Sequence, residues 1–188
     1  KAMKFTRSFI ILAIFALITK ILCEQNYIVD NENIEAMEGD EETLFNFSDL
    51  KCIRRDRAIN GSVNVVEDLD DEAFKLSIAL YSSSSGNRDF RKVGMDVPKT
   101  GTCEAFKKFY RQFVQPSLVL GENTNLPEVP DEGLCPFPKG TYYIKELALN
   151  TEKWPTHIPH GTIKVVISFF KNDVFVGGVT VYIKVQSR

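Results

Sequence analysis

The 188-residue chain has few of the side chains from which most catalytic and metal sites are built. It contains two histidines, one tryptophan and four cysteines. His157 and His160 are separated by Ile158 and Pro159, and the proline disfavours the helix that would bring both imidazoles to one face. No acidic residue stands beside them, and no CxxC or HxxxH spacing accompanies the cysteines. We therefore expect neither a metal site nor a histidine base.

The local motifs of the large enzyme classes are also absent. The sequence has no Gly-x-Ser-x-Gly elbow, no phosphate-binding glycine loop and no zinc-protease helix motif. An acidic cluster comprises Asp68, Asp70, Asp71 and Glu72, and we interpret it as a solvated turn rather than a catalytic carboxylate pair. We therefore predict no catalytic residue, no cofactor and no enzymatic activity.

The first 23 residues have the pattern of a secretory signal peptide. Lys4 and Arg7 precede an apolar run from Phe9 to Ile18, and the small residue Cys23 closes the stretch. The alternative is a retained signal anchor, but Lys20 interrupts the run before it reaches the roughly 20 apolar residues that a membrane span needs. We therefore expect residues 1–23 to be cleaved and the protein to be secreted into the extracellular space.

The remaining chain is acidic and long enough for one domain. The full sequence has 23 basic and 25 acidic residues, and removal of residues 1–23 takes four basic residues and no acidic one, which leaves a net charge of about −6. Such a surface repels phosphate backbones, so nucleic acid is not an expected partner. Residues 24–42 carry eight acidic residues and no basic one. We interpret them as a flexible lead-in, with an acidic docking arm as the alternative, before a domain over residues 43–188.

Alternation of apolar and polar residues dominates that domain and predicts strands with one buried face. The clearest strands are 45–47, 63–65, 74–80, 163–169 and 175–185, and in 175–185 we expect Phe175 and Val179 to share one face. The weaker strands are 88–97 and 141–149. In the last of these, Tyr142 and Ile144 compete with Tyr143 and Leu147 for the inner face. Short turns separate the strands, including a hairpin turn at residues 171–173. The pattern predicts an all-β, antiparallel sandwich of about seven strands.

One stretch, residues 103–114, has helical periodicity. Thr102 is placed to cap it through its hydroxyl, and Glu104 lies in its first turn, where a negative charge is favourable. An aromatic stripe recurs at helical spacing and comprises Phe106, Phe109, Tyr110 and Phe113. The stripe either packs into the core or lines a ligand pocket.

Three cysteines remain after cleavage, so one must lack an intramolecular partner in an oxidising compartment. We expect a Cys103–Cys135 disulfide and a free or intermolecular Cys52. The chain also has two glycosylation sequons, at Asn46 and Asn60. Outward placement of both asparagines puts the neighbouring Phe45, Phe47, Val63 and Val65 inward, in agreement with their hydrophobicity. The same parity predicts that Cys52 faces outward.

Three motifs follow one another in the second half of the chain. They are Cys135-Pro136-Phe137-Pro138-Lys139-Gly140-Thr141-Tyr142-Tyr143-Ile144, Trp154-Pro155 and Ile158-Pro159-His160-Gly161. As a set, they resemble the ML lipid-recognition superfamily. Within it, the chain is most similar to insect secreted proteins related to the ganglioside activator, including the CheB type implicated in pheromone perception. The resemblance covers residues 45–185. It implies an immunoglobulin-like sandwich whose sheets splay around acyl chains, with a disulfide equivalent to Cys103–Cys135, and a ligand that is bound but not transformed.

The expected function is therefore carriage of a lipid, a sterol or a cuticular-hydrocarbon-like semiochemical in a hydrophobic cavity between two sheets, in a chemosensory role. A membrane receptor is a second candidate partner. The alternative is an extracellular protein-recognition module with a filled core. The residues expected to line the cavity come from the helix, from its neighbouring loops and from the last two strands. They are Phe106, Phe109, Phe113, Tyr143, Trp154, Val165, Ile167, Val181 and Ile183.

Overall fold

The computed structural model describes residues 25–53, 55, 57–84 and 89–188. The predicted signal peptide, residues 1–23, lies outside the described residues. None of the helices in the described part combines the length and apolarity that crossing a bilayer requires.

Ten strands lie in the described part of the chain. They are β1 (Tyr27–Met37), β2 (Phe45–Asn46), β3 (Lys51–Ile53), β4 (Ala58–Val65), β5 (Phe74–Ser83), β6 (Arg91–Lys92), β7 (Val97–Gly101), β8 (Gly140–Leu147), β9 (Gly161–Lys171) and β10 (Val174–Ser187). The helical segment α1 consists of three consecutive turns. These are α-helical (Thr102–Ala105), π-helical (Phe106–Tyr110) and α-helical (Arg111–Phe113), and a 3-10 turn (Gln115–Ser117) follows.

The strands form two sheets in which every strand pair is antiparallel, and this confirms the predicted β-sandwich. The larger sheet has the order β1-β10-β9-β5-β6, with β7 also paired to β5. The smaller sheet has the order β2-β4-β3, with β8 on β4. The prediction of about seven strands is too low by three, because β1 was not predicted, β3 is too short to show alternation, and residues 88–97 contribute to two strands, β6 and β7. The predicted hairpin turn is confirmed, since Asn172 and Asp173 have positive φ between β9 and β10.

The acidic segment before residue 43 is not a flexible lead-in. Strand β1 pairs with β10 from Tyr27 opposite Ser187 to Met37 opposite Gly178. A register shift between Asn31 and Asn33 interrupts the alternation, and the many acidic residues hide what remains of it. The acidic side chains point outward on this edge strand, where charge discourages pairing with another sheet edge. The domain therefore begins with β1.

The side chain of Asn31 joins β1 to the smaller sheet. It is buried, and its Nδ2 donates hydrogen bonds to the carbonyl oxygens of Arg57, at 2.8 Å, and Leu147, at 2.9 Å. The Nδ2 atom thus provides a donor for two carbonyl acceptors, whereas the Oδ1 atom of Asn31 is buried without a partner. The supposed lead-in therefore contributes to the contact between the sheets.

Two bulges decide which side chains face the core. In β10 the register shifts between Phe175 and Gly177, so Phe175 packs against Phe170 on the outer face and Val176 is buried at 2% exposure. The prediction that Phe175 shares the face of Val179 is therefore wrong. In β8 the positive φ of Glu146 reverses the alternation, so Tyr142 and Leu147 are both buried.

The core has two parts. The main part lies between the sheets and under α1, and at its centre Phe45 stacks on Phe169 with ring centroids 3.8 Å apart. The second part lies at the far end of the larger sheet, where Tyr27, Ile163 and Ile183 pack against residues of the 149–158 loop. The smaller sheet is shorter than the larger one, so a loop covers the remaining apolar surface.

Helix α1 forms where the periodicity predicts it, but its cap comes from another part of the chain. Gly101 occupies the N-cap position, and Thr102 is fully buried without a hydrogen-bond partner for its hydroxyl, so the predicted Thr102 cap is wrong. The Oδ1 atom of Asp71 accepts hydrogen bonds from the amides of Cys103, at 2.7 Å, and Glu104, at 3.4 Å. The helix start is thereby held to the turn before β5.

The rest of the acidic cluster has a similar structural role. Asp68 Oδ1 accepts a hydrogen bond from the Lys139 amide at 2.7 Å, and Asp70 Oδ1 accepts one from the Ala73 amide at 2.7 Å. The turn is largely exposed, as expected, yet its carboxylates bind backbone amides and join the start of β5 to the loop before β8.

The predicted Cys103–Cys135 disulfide is present, with a Cα–Cα distance of 5.5 Å, and Cys52 is free. Cys52 does not face outward as parity from Asn46 predicts. It lies opposite the buried Ile59 and is half-buried, because the chain turns between β2 and β3 and parity does not carry through a turn. Burial raises the pKa of the Cys52 thiol, an effect that Arg57 partly offsets.

The two sequons differ in structure. Asn46 is exposed, whereas Asn60 sits in a register shift of β4, its Oδ1 accepts the Glu146 amide at 2.9 Å, and its Nδ2 is buried without a partner. A glycan is attached through Nδ2, so the described geometry suits modification of Asn46 and opposes that of Asn60.

Removal of the Asp71 carboxylate should destabilise the fold. We expect Asp71→Ala to lower the free energy of unfolding by about 1 kcal/mol, because the first amides of α1 lose their acceptor. Urea denaturation measures the change. Asp71→Asn, which keeps an acceptor, and Glu72→Ala at the neighbouring exposed position should both stay close to wild type. Equal effects of Asp71→Ala and Glu72→Ala would contradict the capping role.

Glycosylation should be confined to Asn46. In protein secreted from insect cells, we expect mass spectrometry of tryptic peptides to find a glycan on Asn46 and an unmodified Asn60. A glycan on Asn60 has no room unless the turn at Glu146 opens. Asn46→Gln is the control and should abolish the modification, and full occupancy of Asn60 in folded protein would contradict the described geometry.

Candidate functional site

A groove of about 1140 Å³ lies between α1 and the segment formed by residues 115–131. Its apolar surface comes from Phe109 and Tyr110 on the helix and from Leu118, Leu126 and Val129 on the facing segment. Val129 is completely buried and belongs to the main core, so the base of the groove reaches the interior. Six charged side chains lie along its rim, three of them from α1.

The facing segment is held in shape by side-chain hydrogen bonds to backbone. Gln115 Oε1 accepts the Val129 amide at 2.9 Å, and its Nε2 donates to the Val129 carbonyl at 3.3 Å. Thr124 Oγ1 donates to the carbonyl of Tyr143 at 2.9 Å, and Asn125 Oδ1 accepts the Tyr143 amide at 2.6 Å. Gln115 therefore ties the two ends of the segment together, and Thr124 and Asn125 join the part between them to β8.

The π-helical turn divides the aromatic stripe between two environments. Phe106 points into the core, with its ring centroid 4.9 Å from that of Phe137 and 6.4 Å from that of Phe169. Phe109 and Tyr110 line the groove instead, although both also touch the core. Insertions of this kind in α-helices occur often at functional sites. The stripe is thus divided between the core and the wall of the groove.

Two of the cations that line the groove form ion pairs with carboxylates. Lys108 forms an ion pair with Glu104 at 2.7 Å, and the resulting hydrogen bond lowers the pKa of Glu104. Arg111 pairs with Asp131, which connects the helix to the facing segment. Burial raises the pKa of Tyr110, and the nearby Glu128 carboxylate adds to the shift, so the phenol remains a neutral hydrogen-bond donor at physiological pH.

The acidic side chain near the disulfide does not form a metal site. Asp71 and the sulfurs of Cys103 and Cys135 lie within 4.8 Å of one another. Both sulfurs belong to the disulfide, and the carboxylate already accepts backbone amides. This arrangement is a helix cap beside a covalent link.

The nine residues predicted to line a cavity do not surround one space. Phe109 alone among them lines the groove. Phe106 lies in the main core, and Phe113 contacts Trp154 edge to face at 6.0 Å. The strand residues divide between the two core clusters, with Ile167 in the main one, Val165 and Ile183 in the second, and Val181 touching both.

Tyr143 lies apart from the others. It alternates with the buried Tyr142 and Ile144, and the Lys145 ammonium lies 4.7 Å from its ring centroid on the outer face. The inner face of the larger sheet nevertheless stays incompletely covered, since Val165, Ile167 and Val181 are only half-buried. None of these three strand residues lines the groove beside the helix.

The sequence reasoning missed the wall formed by residues 115–131. This segment has no strand or helix period, and its three prolines are typical of a loop. The apolar content of the segment could have indicated that it is partly buried. Leu118, Leu126 and Val129 are large apolar residues, which are uncommon in a fully solvated loop.

Comparison with protein families finds one match. A family model described as "Protein of unknown function (DUF1091)" matches residues 76–165. A comparison with curated proteins finds no match. The matched interval contains α1, the disulfide and every residue that lines the groove. Over the part that builds the groove, the chain is therefore similar to a family of proteins whose function is unknown.

Proposed function

We propose that this protein is an extracellular carrier that binds a lipid, a sterol or a hydrocarbon-like semiochemical in the groove between α1 and residues 115–131. The observation that carries the proposal is the apolar surface of the groove, which continues from the rim to the fully buried Val129. Water in contact with such a surface is at a disadvantage relative to an apolar guest. The resemblance to the ML superfamily supports the same class of ligand.

The size of the groove suits this class. Its volume of about 1140 Å³ is slightly above that of typical small-molecule sites, which measure roughly 300–1,000 Å³. Each buried methylene contributes about 0.8 kcal/mol, so a chain of about a dozen carbons gives roughly 10 kcal/mol before the cost of association. Micromolar affinity is therefore attainable without catalytic or covalent chemistry.

Extracellular location is supported by independent features. The Cys103–Cys135 disulfide is of the kind that persists in an oxidising compartment, and the exposed Asn46 sequon is accessible to the glycosylation machinery. The amino-terminal sequence pattern supports passage through the secretory pathway.

The second candidate function is recognition of another protein at the cell surface. One observation favours it. Val119 and Leu120 are 49% and 60% exposed at the lip of the groove, and hydrogen bonds from the backbone and from Asn123 hold this turn rigid. Exposed apolar side chains on a rigid turn are a common feature of protein-binding surfaces.

Direct binding of a fluorescent fatty acid distinguishes the two functions. We expect wild-type protein to bind a fluorescent fatty acid with micromolar affinity. Leu118→Trp should weaken this binding at least tenfold, because the larger ring fills space in the groove. Val174→Trp, at an exposed position of β10, is the matched control and should bind as wild type does. Thermal unfolding checks that both variants are folded. Absence of lipid binding by the wild type would favour protein recognition.

The groove should depend on the disulfide. All of its lining residues except Lys153 lie between Cys103 and Cys135 in the chain. We expect the Cys103→Ser/Cys135→Ser double variant to lose fatty-acid binding and roughly 3 to 4 kcal/mol of stability, since the loop is no longer constrained. Cys52→Ser is the control and should retain both. The assay is run at low temperature, where circular dichroism reports whether the sandwich is still folded, and unchanged binding by the folded double variant would contradict the dependence.

A further inference from the structure

The rim of the groove has a local charge opposite to that of the whole chain. Four cations line it, namely Lys107, Lys108, Arg111 and Lys153, against the two carboxylates of Glu128 and Asp131. The complete sequence has a net charge of −2. A cationic rim on an acidic protein concentrates anions at that place alone.

Two of these cations are already committed to carboxylates. Lys108 pairs with Glu104 and Arg111 pairs with Asp131, as described above. Among the described residues, neither Lys107 nor Lys153 forms an ion pair, although Lys107 lies close enough to Glu104 to contribute to its lowered pKa. The ammonium groups of Lys107 and Lys153 are therefore the ones available to a ligand.

Local contacts place the Lys107 side chain and the Lys153 backbone at the rim. The stem of Lys107 passes over Gly133, where an added Cβ would lie 3.3 Å from the lysine Cδ. Lys153 follows from a different loop, and Gln112 Nε2 donates to its carbonyl oxygen at 3.4 Å, which links that loop to α1. The two lysines therefore approach the groove from separate elements, and the contact with Gly133 restricts the side chain of Lys107 before a ligand binds.

We propose that the groove selects an amphiphile with one anionic head group, which Lys107 and Lys153 bind at the rim while the apolar tail lies along Phe109, Leu118 and Leu126. This inference rests on the proposed function. The phenol of Tyr110, which also lines the groove, is a neutral donor for an oxygen of the same head group. Carboxylate and phosphate monoester heads share the required chemistry, since each accepts hydrogen bonds from an ammonium group.

Ligands with the same tail and different heads test this selection. The assay measures how well each ligand displaces a neutral fluorescent probe from wild-type protein. The three ligands are hexadecanoic acid, hexadecanol and hexadecyl phosphate. We expect both anions to bind at least tenfold more tightly than the alcohol. The ratio between the two anions distinguishes a fatty-acid site from a phosphate-lipid site. Raising the salt from 20 to about 500 mM should weaken the anions and leave the alcohol unchanged, because exposed charges are screened.

Charge-neutral variants locate the head group. Lys107→Gln/Lys153→Gln should reduce the anion-to-alcohol preference to less than threefold while the affinity for hexadecanol stays the same. Lys51→Gln/Lys184→Gln, at two positions outside the groove, is the matched control and should keep the preference. Circular dichroism and thermal unfolding confirm that both double variants are folded.

The outcomes separate this inference from the proposed function. If all three ligands bind equally and the lysine substitutions change nothing, the head-group inference is overturned and the carrier function stands. If the alcohol binds more tightly than the anions, the inference is likewise overturned. If neither the probe nor any of the three ligands binds to the protein, the carrier function fails as well.

Discussion

The disulfide between Cys103 and Cys135 joins the first turn of α1 to the loop that enters β8, and the groove lies inside the loop that it closes. Asp71 adds a second link at the same point by accepting the Cys103 amide. Together they fix where the helix starts relative to β5 and β8. The position of one wall of the groove therefore depends on a covalent bond, and that of the other on the hydrogen bonds that residues 115–131 make within the segment and to β8.

The fold separates a rigid support from a site built by loops. The pairing of β5 with β9 gives the larger sheet a long ladder without a register shift, and buried residues from both sheets, such as Phe169 and Val63, form the main core. The groove, by contrast, is formed by a short helix and a proline-containing segment on the other side of that core. This division is common, because loops tolerate changes of sequence that would disrupt a sheet. Ligand preference can therefore change without loss of the sandwich.

The parts that the sequence predicted share regular alternation. Strands β5 and β9 were predicted because Leu76 and Phe169 fall in an unbroken period-2 pattern, and the odd number of cysteines predicted that one of the three stays unpaired. The errors occurred where one residue interrupts the pattern. The bulge before Gly177 moved Phe175 to the outer face, and the turn after β2 moved Cys52 inward. The groove was missed because its wall at residues 115–131 has no period, so only tertiary packing defines it.

The pairing of β1 with β10 affects the order in which the molecule can be completed. Asp30 and Gln186, whose side chains are hydrogen-bonded at 3.2 Å, are 156 positions apart in the chain. During synthesis β1 has no partner until β10 has been translated. The side chains of Tyr27 and Val29 therefore cannot be buried beside β10 before that point. Contacts between such distant positions close slowly, because the intervening chain must first be ordered. The acidic residues of β1 therefore oppose its pairing with other exposed strands until β10 is available.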